Sequence, residues 1–166
     1  MLITVGLDTR ASQIQHFLVP RKRVKDFVGR GPQLRSIAES FCEPRSSGPC
    51  ILIVHALGGQ GKSQLALEYY RMCRIQNVYR GVFWISAADK ALATNSFRKI
   101  AVELGIVGAE QAIDDNVMLG LVKKSLEDWQ ERWLLIFDNY DSPTQFDDIQ
   151  EFFSDGTSIL LLHIEQ

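Results

Sequence analysis

The feature that most constrains the fold is an apolar run that passes through a glycine-rich loop into an amphipathic helix. Residues 50–54 are uniformly apolar and rich in β-branched side chains, which predicts a strand buried on both faces of a parallel sheet. The loop contains Gly58, Gly59 and Gly61, and glycine readily adopts the torsions that turn successive backbone N–H groups toward one anion. The helix carries an apolar stripe at Leu65, Tyr69, Met72 and Cys73.

The loop matches the phosphate-binding loop, or P-loop, in which a glycine and four free positions precede Gly-Lys-Ser/Thr. Gly61, Lys62 and Ser63 are intact, whereas Ala56 replaces the first glycine. The N-terminus of the helix favours an anion. Lys62 is predicted to reach the β- and γ-phosphates of a nucleoside triphosphate, and the Ser63 hydroxyl to bind Mg²⁺. The alternative is a structural glycine-rich turn with an exposed lysine, which does not account for the position between strand and helix.

Apolar strands and amphipathic helices continue to alternate after this unit. Further strands are predicted at residues 81–85, 133–137 and 158–162. Helices are predicted from Pro32, at 97–104 with Gly105 as its end, after the acidic pair at 114–115, and at 145–153. Such alternation predicts an α/β fold with helices on both faces of a mainly parallel sheet. Ligands in these sheets bind at the carboxyl ends of the strands.

A second candidate site follows the apolar run at 133–137. Asp138 stands at the carboxyl end of this strand, which is the Walker B arrangement and predicts an Mg²⁺ contact, directly or through water. Catalytic P-loop proteins often have a second acid beside the first. Here that position is Asn139, which cannot act as a base. Asp141 is the other candidate acid, and nothing in the sequence shows that its side chain reaches the attacking water.

Composition argues against several other functions. The net charge of the 166 residues is −2, which favours neither a nucleic-acid binder nor a membrane-surface binder. Apolar runs fall short of the roughly 20 residues that span a bilayer, and the start lacks the features of a signal peptide. The three cysteines have no metal-ligand spacing and predict reduced thiols in a cytoplasmic protein. The basic run at 21–25 is a solvated linker, a nuclear-targeting signal or a phosphate contact.

Four ordered motifs resemble one family, the NB-ARC domain. They are residues 27–30, 57–66, 82–86 and 133–139. This domain is the nucleotide switch of STAND signalling ATPases, which include NOD-like immune receptors and plant resistance proteins. The segment at 16–20, ahead of the first motif, is similar to fungal members, which often carry tetratricopeptide repeats.

The resemblance implies a P-loop NTPase fold, a three-layer α/β/α sandwich, that binds ATP or ADP with Mg²⁺. It also implies self-association and a role in innate immunity. Asp138 and Asp141 are then the candidate catalytic residues, and Ser63 and Asp138 the candidate metal ligands. Val28 and Arg30 are expected against adenine and ribose, with core packing or a surface ion pair as alternatives. The full set of implied nucleotide contacts is Val28, Arg30, Gly58, Gly59, Gln60, Gly61, Lys62, Ser63 and Gln64.

The sequence also departs from the family pattern. The family's last strand usually leads to an arginine that senses the γ-phosphate, and here none follows residue 162; His163 is interpreted as a divergent tail residue. We expect a lead-in segment or linker at 1–26 and a partial NB-ARC domain at 27–166, C-terminally incomplete, with an open sheet edge beside 158–162. Three functions stay open: a switch with slow or absent hydrolysis, an active P-loop ATPase, and a degenerate interaction fragment that binds no nucleotide.

Overall fold

Strands and helices alternate along the chain in the computed structural model, which describes residues 14–20, 27–42, 48–144 and 146–164. The elements are β1 His16–Leu18, α1 Gly31–Cys42, β2 Cys50–Ala56, α2 Lys62–Ile75, β3 Gly81–Ser86, α3 Lys90–Glu103, α4 Asp115–Glu127, β4 Trp133–Asp138, a 3-10 turn at Ile149–Phe152, and β5 Ser158–Ile164. The sequence motifs at 16–20 and 27–30 fall on β1 and just before α1. The basic run at 21–25 lies outside the described residues.

The five strands form one sheet in the order β1-β3-β4-β5-β2, and every described pair is parallel. Helices α1 and α2 pack on one face of the sheet, and α3, α4 and the 3-10 turn pack on the other, so that two apolar cores flank it. The predicted three-layer α/β/α fold of the P-loop NTPases is therefore confirmed. Because the strands are parallel, the carboxyl ends of β2, β3, β4 and β5 meet at one edge of the sheet.

Strand β2 differs from the prediction of burial on both faces. Its exposure alternates along the strand, and Ile51 and Ile53 are 38% and 47% exposed. The reason is that, among the described residues, β2 ends the sheet and only one of its faces is covered: Leu52 and Val54 pack against the α1–α2 core, whereas the two isoleucines belong to neither core. The open edge predicted beside residues 158–162 thus lies along β2 instead. Strand β5 is an interior strand between β4 and β2.

Element ends show two further differences and two agreements. The helix predicted at 145–153 is only a 3-10 turn, and β5 extends through His163 to Ile164. As predicted, Gly105 follows α3 with a positive φ of 69°. The acidic start of α4 is also as predicted, since Asp114 accepts hydrogen bonds from the N–H groups of Asn116 and Val117. None of the helices in the described ranges is both long and apolar enough to cross a membrane.

We predict that the edge of β2 that no described strand covers makes the chain self-associate, because unpaired N–H and C=O groups template strand pairing. The Ile53→Lys substitution should reduce association, since two lysine-bearing edges repel each other. It should change the free energy of unfolding by no more than about 0.5 kcal/mol, because the site is half exposed. Light scattering over a concentration series and urea unfolding measure the two effects.

The matched control is Val102→Lys, which places the same charge at a residue of α3 that is 39% exposed. This control should scatter light as the wild type does. Equal scattering by all three proteins would contradict the assignment of association to the β2 edge.

Candidate functional site

The loop at 57–61 joins β2 to α2 and has the backbone shape that glycine permits. Gly59 and Gly61 both have a φ of +76°, in the left-handed region that L side chains rarely adopt. A Cβ placed on Gly58 or Gly59 would meet no atom within 4 Å, so this stretch of backbone is accessible to a ligand. Gly61 caps α2 at its N-terminus, where the first N–H groups of a helix have no partner within the helix. The loop can therefore present several N–H donors to an anion.

Lys62 holds its ammonium group over this loop. Its Nζ donates to the carbonyl oxygens of Ala56 at 2.8 Å and Leu57 at 3.2 Å. An ammonium group has three donors, so a third can bond a phosphate oxygen while these two bonds remain. The positive charge and the N-terminus of α2 thus act on the same small volume.

Ser63 and Asp138 meet across 75 residues of sequence. The Ser63 hydroxyl, in the first turn of α2, donates to Asp138 Oδ1 at 2.8 Å. Asp138 ends β4, and Ser86 at the end of β3 is its register partner. A hydroxyl and a carboxylate are oxygen ligands that suit Mg²⁺. The structure therefore brings together the two residues that the sequence proposes as metal ligands.

The electrostatic environment of Asp138 has opposing contributions. Burial is the largest and raises the pKa of the carboxyl group, because desolvation disfavours the charged form. Hydrogen bonds from the Ser63 hydroxyl, the Trp84 indole and the Asn139 backbone N–H lower this pKa, and the charge of Asp141 raises it slightly. The net direction is upward, so the site favours neutralisation of this carboxylate. A bound cation would supply the same compensation as a proton.

Trp84 is a contact that the sequence analysis did not identify, because it assigned residues 81–85 only to a strand and named no contact for them. The side chain does pack with the core on the α1–α2 face, yet its N–H also bonds to Asp138. A tryptophan is a donor with a large apolar body, so one residue serves both roles. Its place near the carboxyl end of a predicted strand was the available signal.

The turn after β4 fixes the residues next to Asp138. Asn139 is exposed and has a left-handed φ of 66°. Tyr140 N–H donates to Leu162 O at 3.1 Å, and Asp141 N–H donates to Asn139 O at 2.9 Å. The negative charge of Asp141 contributes to the raised pKa of Asp138. A catalytic role for either acid stays a prediction.

Val28 and Arg30 precede α1 and lie in different environments. Val28 is 87% exposed, so its side chain does not pack in the core. The Arg30 guanidinium donates to the carbonyl of Gln60 in the loop, and its atoms would lie 3.7–3.9 Å from a Cβ on Gly61. The structure thus shows Arg30 in contact with the phosphate loop, in place of the surface ion pair that was the alternative.

The end of β5 holds no arginine in the described residues, as the sequence indicates. His163 is a strand residue there and not part of a divergent tail. It lies opposite His55 in the register of β2 and β5, with the rings 5.2 Å apart. Its Nδ1 is bonded to the carbonyl of Tyr140. Strand pairing that extends two residues beyond the predicted end explains the difference.

We predict that Asp138 lowers stability as it ionises in the absence of metal. Its pKa in the folded state lies above the ordinary 3.8, so the folded chain binds more protons than the unfolded chain between the two values. Stability then falls as pH rises through this window, and Asp138→Asn removes the effect. The free energy of unfolding of this variant, minus that of the wild type, should therefore increase with pH above 3.8 and then level off.

Urea unfolding at a series of pH values, in a buffer with a chelator, measures this difference. A difference that decreases as pH rises would contradict the account. It would mean that the hydrogen bonds from Ser63 and Trp84 outweigh burial.

Comparison with known proteins agrees with this geometry. The NB-ARC domain family matches residues 32–161. A nucleotide-binding leucine-rich repeat (NLR)-like protein of Hyaloscypha variabilis is 30% identical over 131 residues, which are 78% of this chain and 13% of that protein. The crystal structure of Cdc6p from Pyrobaculum aerophilum matches with a TM-score of 0.56 at 14% identity, over 89% of this chain and 41% of that one, which shows a shared fold. The chain therefore belongs to the NB-ARC family of P-loop nucleotide-binding domains.

Proposed function

We propose that this domain is an ATP/ADP-binding switch of an NLR-like signalling protein, dependent on Mg²⁺ and with slow or absent hydrolysis. The observation that carries the proposal is the 2.8 Å hydrogen bond between Ser63 and Asp138, at the start of the helix that Lys62 begins. A phosphate cradle, a fixed cation and two metal ligands in one place suit a nucleotide polyphosphate with its metal.

The residues fit the nucleotide in separate roles. Backbone N–H groups of the loop glycines and of the start of α2 would hold phosphate oxygens, with Lys62 as the counter-charge. Ser63 and Asp138 would hold Mg²⁺, which neutralises negative charge on the phosphates when bound. The preference for adenine rests on membership of the NB-ARC family.

A switch requires that ATP and ADP bind two states of the domain with different affinity. Ser63 and Asp138 belong to different elements, α2 and β4, so a shared metal would link the loop to the centre of the sheet. Slow hydrolysis would let the ATP-bound state persist. A cytoplasmic role in innate immunity, self-association of the domain, and the absence of nucleic-acid or membrane partners belong to the same proposal.

We predict that Lys62→Ala weakens binding of Mg-ATP and Mg-ADP by roughly 10- to 150-fold, because it removes a charge-assisted bond to phosphate. Isothermal titration of each nucleotide measures the effect. The control is Lys99→Ala, which removes an exposed lysine of α3 and should keep wild-type affinity. Equal affinity in wild type and Lys62→Ala would refute the assignment of the loop. If the wild type binds neither nucleotide, the degenerate-fragment alternative stands.

We predict little or no steady-state hydrolysis of ATP. Asn139 cannot take a proton from water. The described end of β5 carries no arginine, and arginine groups that stabilise such transition states contribute roughly 10³–10⁵ in rate. Phosphate release under saturating Mg-ATP measures turnover in the wild type and in Asp141→Asn. Robust turnover that is lost in Asp141→Asn would favour the active ATPase and make Asp141 its base.

A further inference from the structure

We propose that Arg30 binds the phosphate chain of the nucleotide rather than adenine or ribose, and so makes affinity depend on the number of phosphates. The proposal rests on the nucleotide-binding function proposed above. It differs from what the family resemblance implies for this residue, and it follows from where the guanidinium group lies.

The guanidinium group of Arg30 contacts the loop directly ahead of the P-loop lysine. It donates to the carbonyl oxygen of Gln60. Three of its atoms would lie 3.7–3.9 Å from a Cβ on Gly61. Gln60 and Gly61 are the two residues before Lys62, so two positive side chains flank the same short stretch of backbone.

The backbone before α1 holds this side chain in place. Gly29 and Arg30 have φ values of 82° and 57°, so two successive residues are left-handed. A non-glycine residue in this region is strained, and such strain is concentrated at functional sites. The Arg30 carbonyl accepts the N–H of Leu34 at 3.0 Å, which ties the strained residue to the first turn of α1.

The chemistry of the group suits phosphate. A guanidinium has five N–H donors in a planar fork that matches phosphate oxygens, and one of them serves Gln60. Arg30 is exposed, so the others are accessible from solvent. Among the described residues, Arg30 is an arginine whose guanidinium group contacts the loop directly. Electrostatic attraction between the guanidinium group and the nucleotide grows with the number of charged phosphates. A contact with neutral adenine would contribute the same affinity whatever the number of phosphates.

The test compares AMP, ADP and ATP, each with Mg²⁺, by isothermal titration of the whole chain. Arg30→Gln keeps an N–H donor for the Gln60 carbonyl but removes the charge, and Arg30→Lys keeps the charge. We expect Arg30→Gln to lose roughly 10- to 100-fold for ATP and ADP and clearly less for AMP. Arg30→Lys should recover most of the loss, because charge and not the bond to Gln60 is what the phosphates require.

The control is Arg35→Gln, because this arginine lies one turn into α1 with its guanidinium 3.6 Å from a Cβ placed on Gly31. It should bind all three nucleotides as the wild type does. Equal loss for AMP, ADP and ATP in Arg30→Gln would overturn the proposal in favour of a base or ribose contact. Wild-type affinity in Arg30→Gln would overturn it in favour of a purely structural bond. Absence of binding by the wild type would instead refute the nucleotide-binding function itself.

Discussion

The parallel pairing of β4 between β3 and β5 is the constraint on which the site depends. Residues 133–137 are at most 3% exposed, because strands cover both edges of β4 and helical layers cover both faces. Burial on all sides fixes where the strand ends, and its end is Asp138. Parallel register then brings the ends of β2 and β3 to the same edge of the sheet, so that Ser63 and Trp84 both donate hydrogen bonds to this carboxylate.

The charged side chains at this edge form a positive group and a negative group, which a nucleotide with its metal ion could bridge. Lys62 and Arg30 hold positive charge against the loop backbone. Asp138 holds a carboxylate whose burial raises its pKa, with Asp141 close enough to contribute to the same effect. Phosphate would meet the first group and Mg²⁺ the second. A nucleotide with its Mg²⁺ would therefore use both groups of charge, the positive group for the phosphates and the negative group for the metal.

The sequence predicts those parts of this structure that depend on residues close together in the chain. Glycines at 58, 59 and 61 between an apolar strand and an amphipathic helix specify the loop, because few other residues adopt its torsions. The apolar run before Asp138 specifies a buried strand in the same local way. Strand order was not available from such patterns, and uniform hydrophobicity in residues 50–54 therefore gave the wrong burial for an edge strand. The contacts of Trp84 and Arg30 with Asp138 and Gln60 were also missed, because no motif in the sequence pairs these residues, whereas the P-loop and Walker B motifs together indicate Ser63 and Asp138.

The central claim is that Ser63 and Asp138 act together as one metal site for a nucleotide. A double-mutant cycle of Ser63→Ala and Asp138→Asn, measured on the Mg²⁺-dependent part of ADP affinity, tests it most directly. Residues that share one ion are not independent, so we expect the two losses to be non-additive, with a coupling of roughly 0.5–3 kcal/mol. Additive losses, or an ADP affinity that Mg²⁺ does not change in the wild type, would contradict a shared metal site.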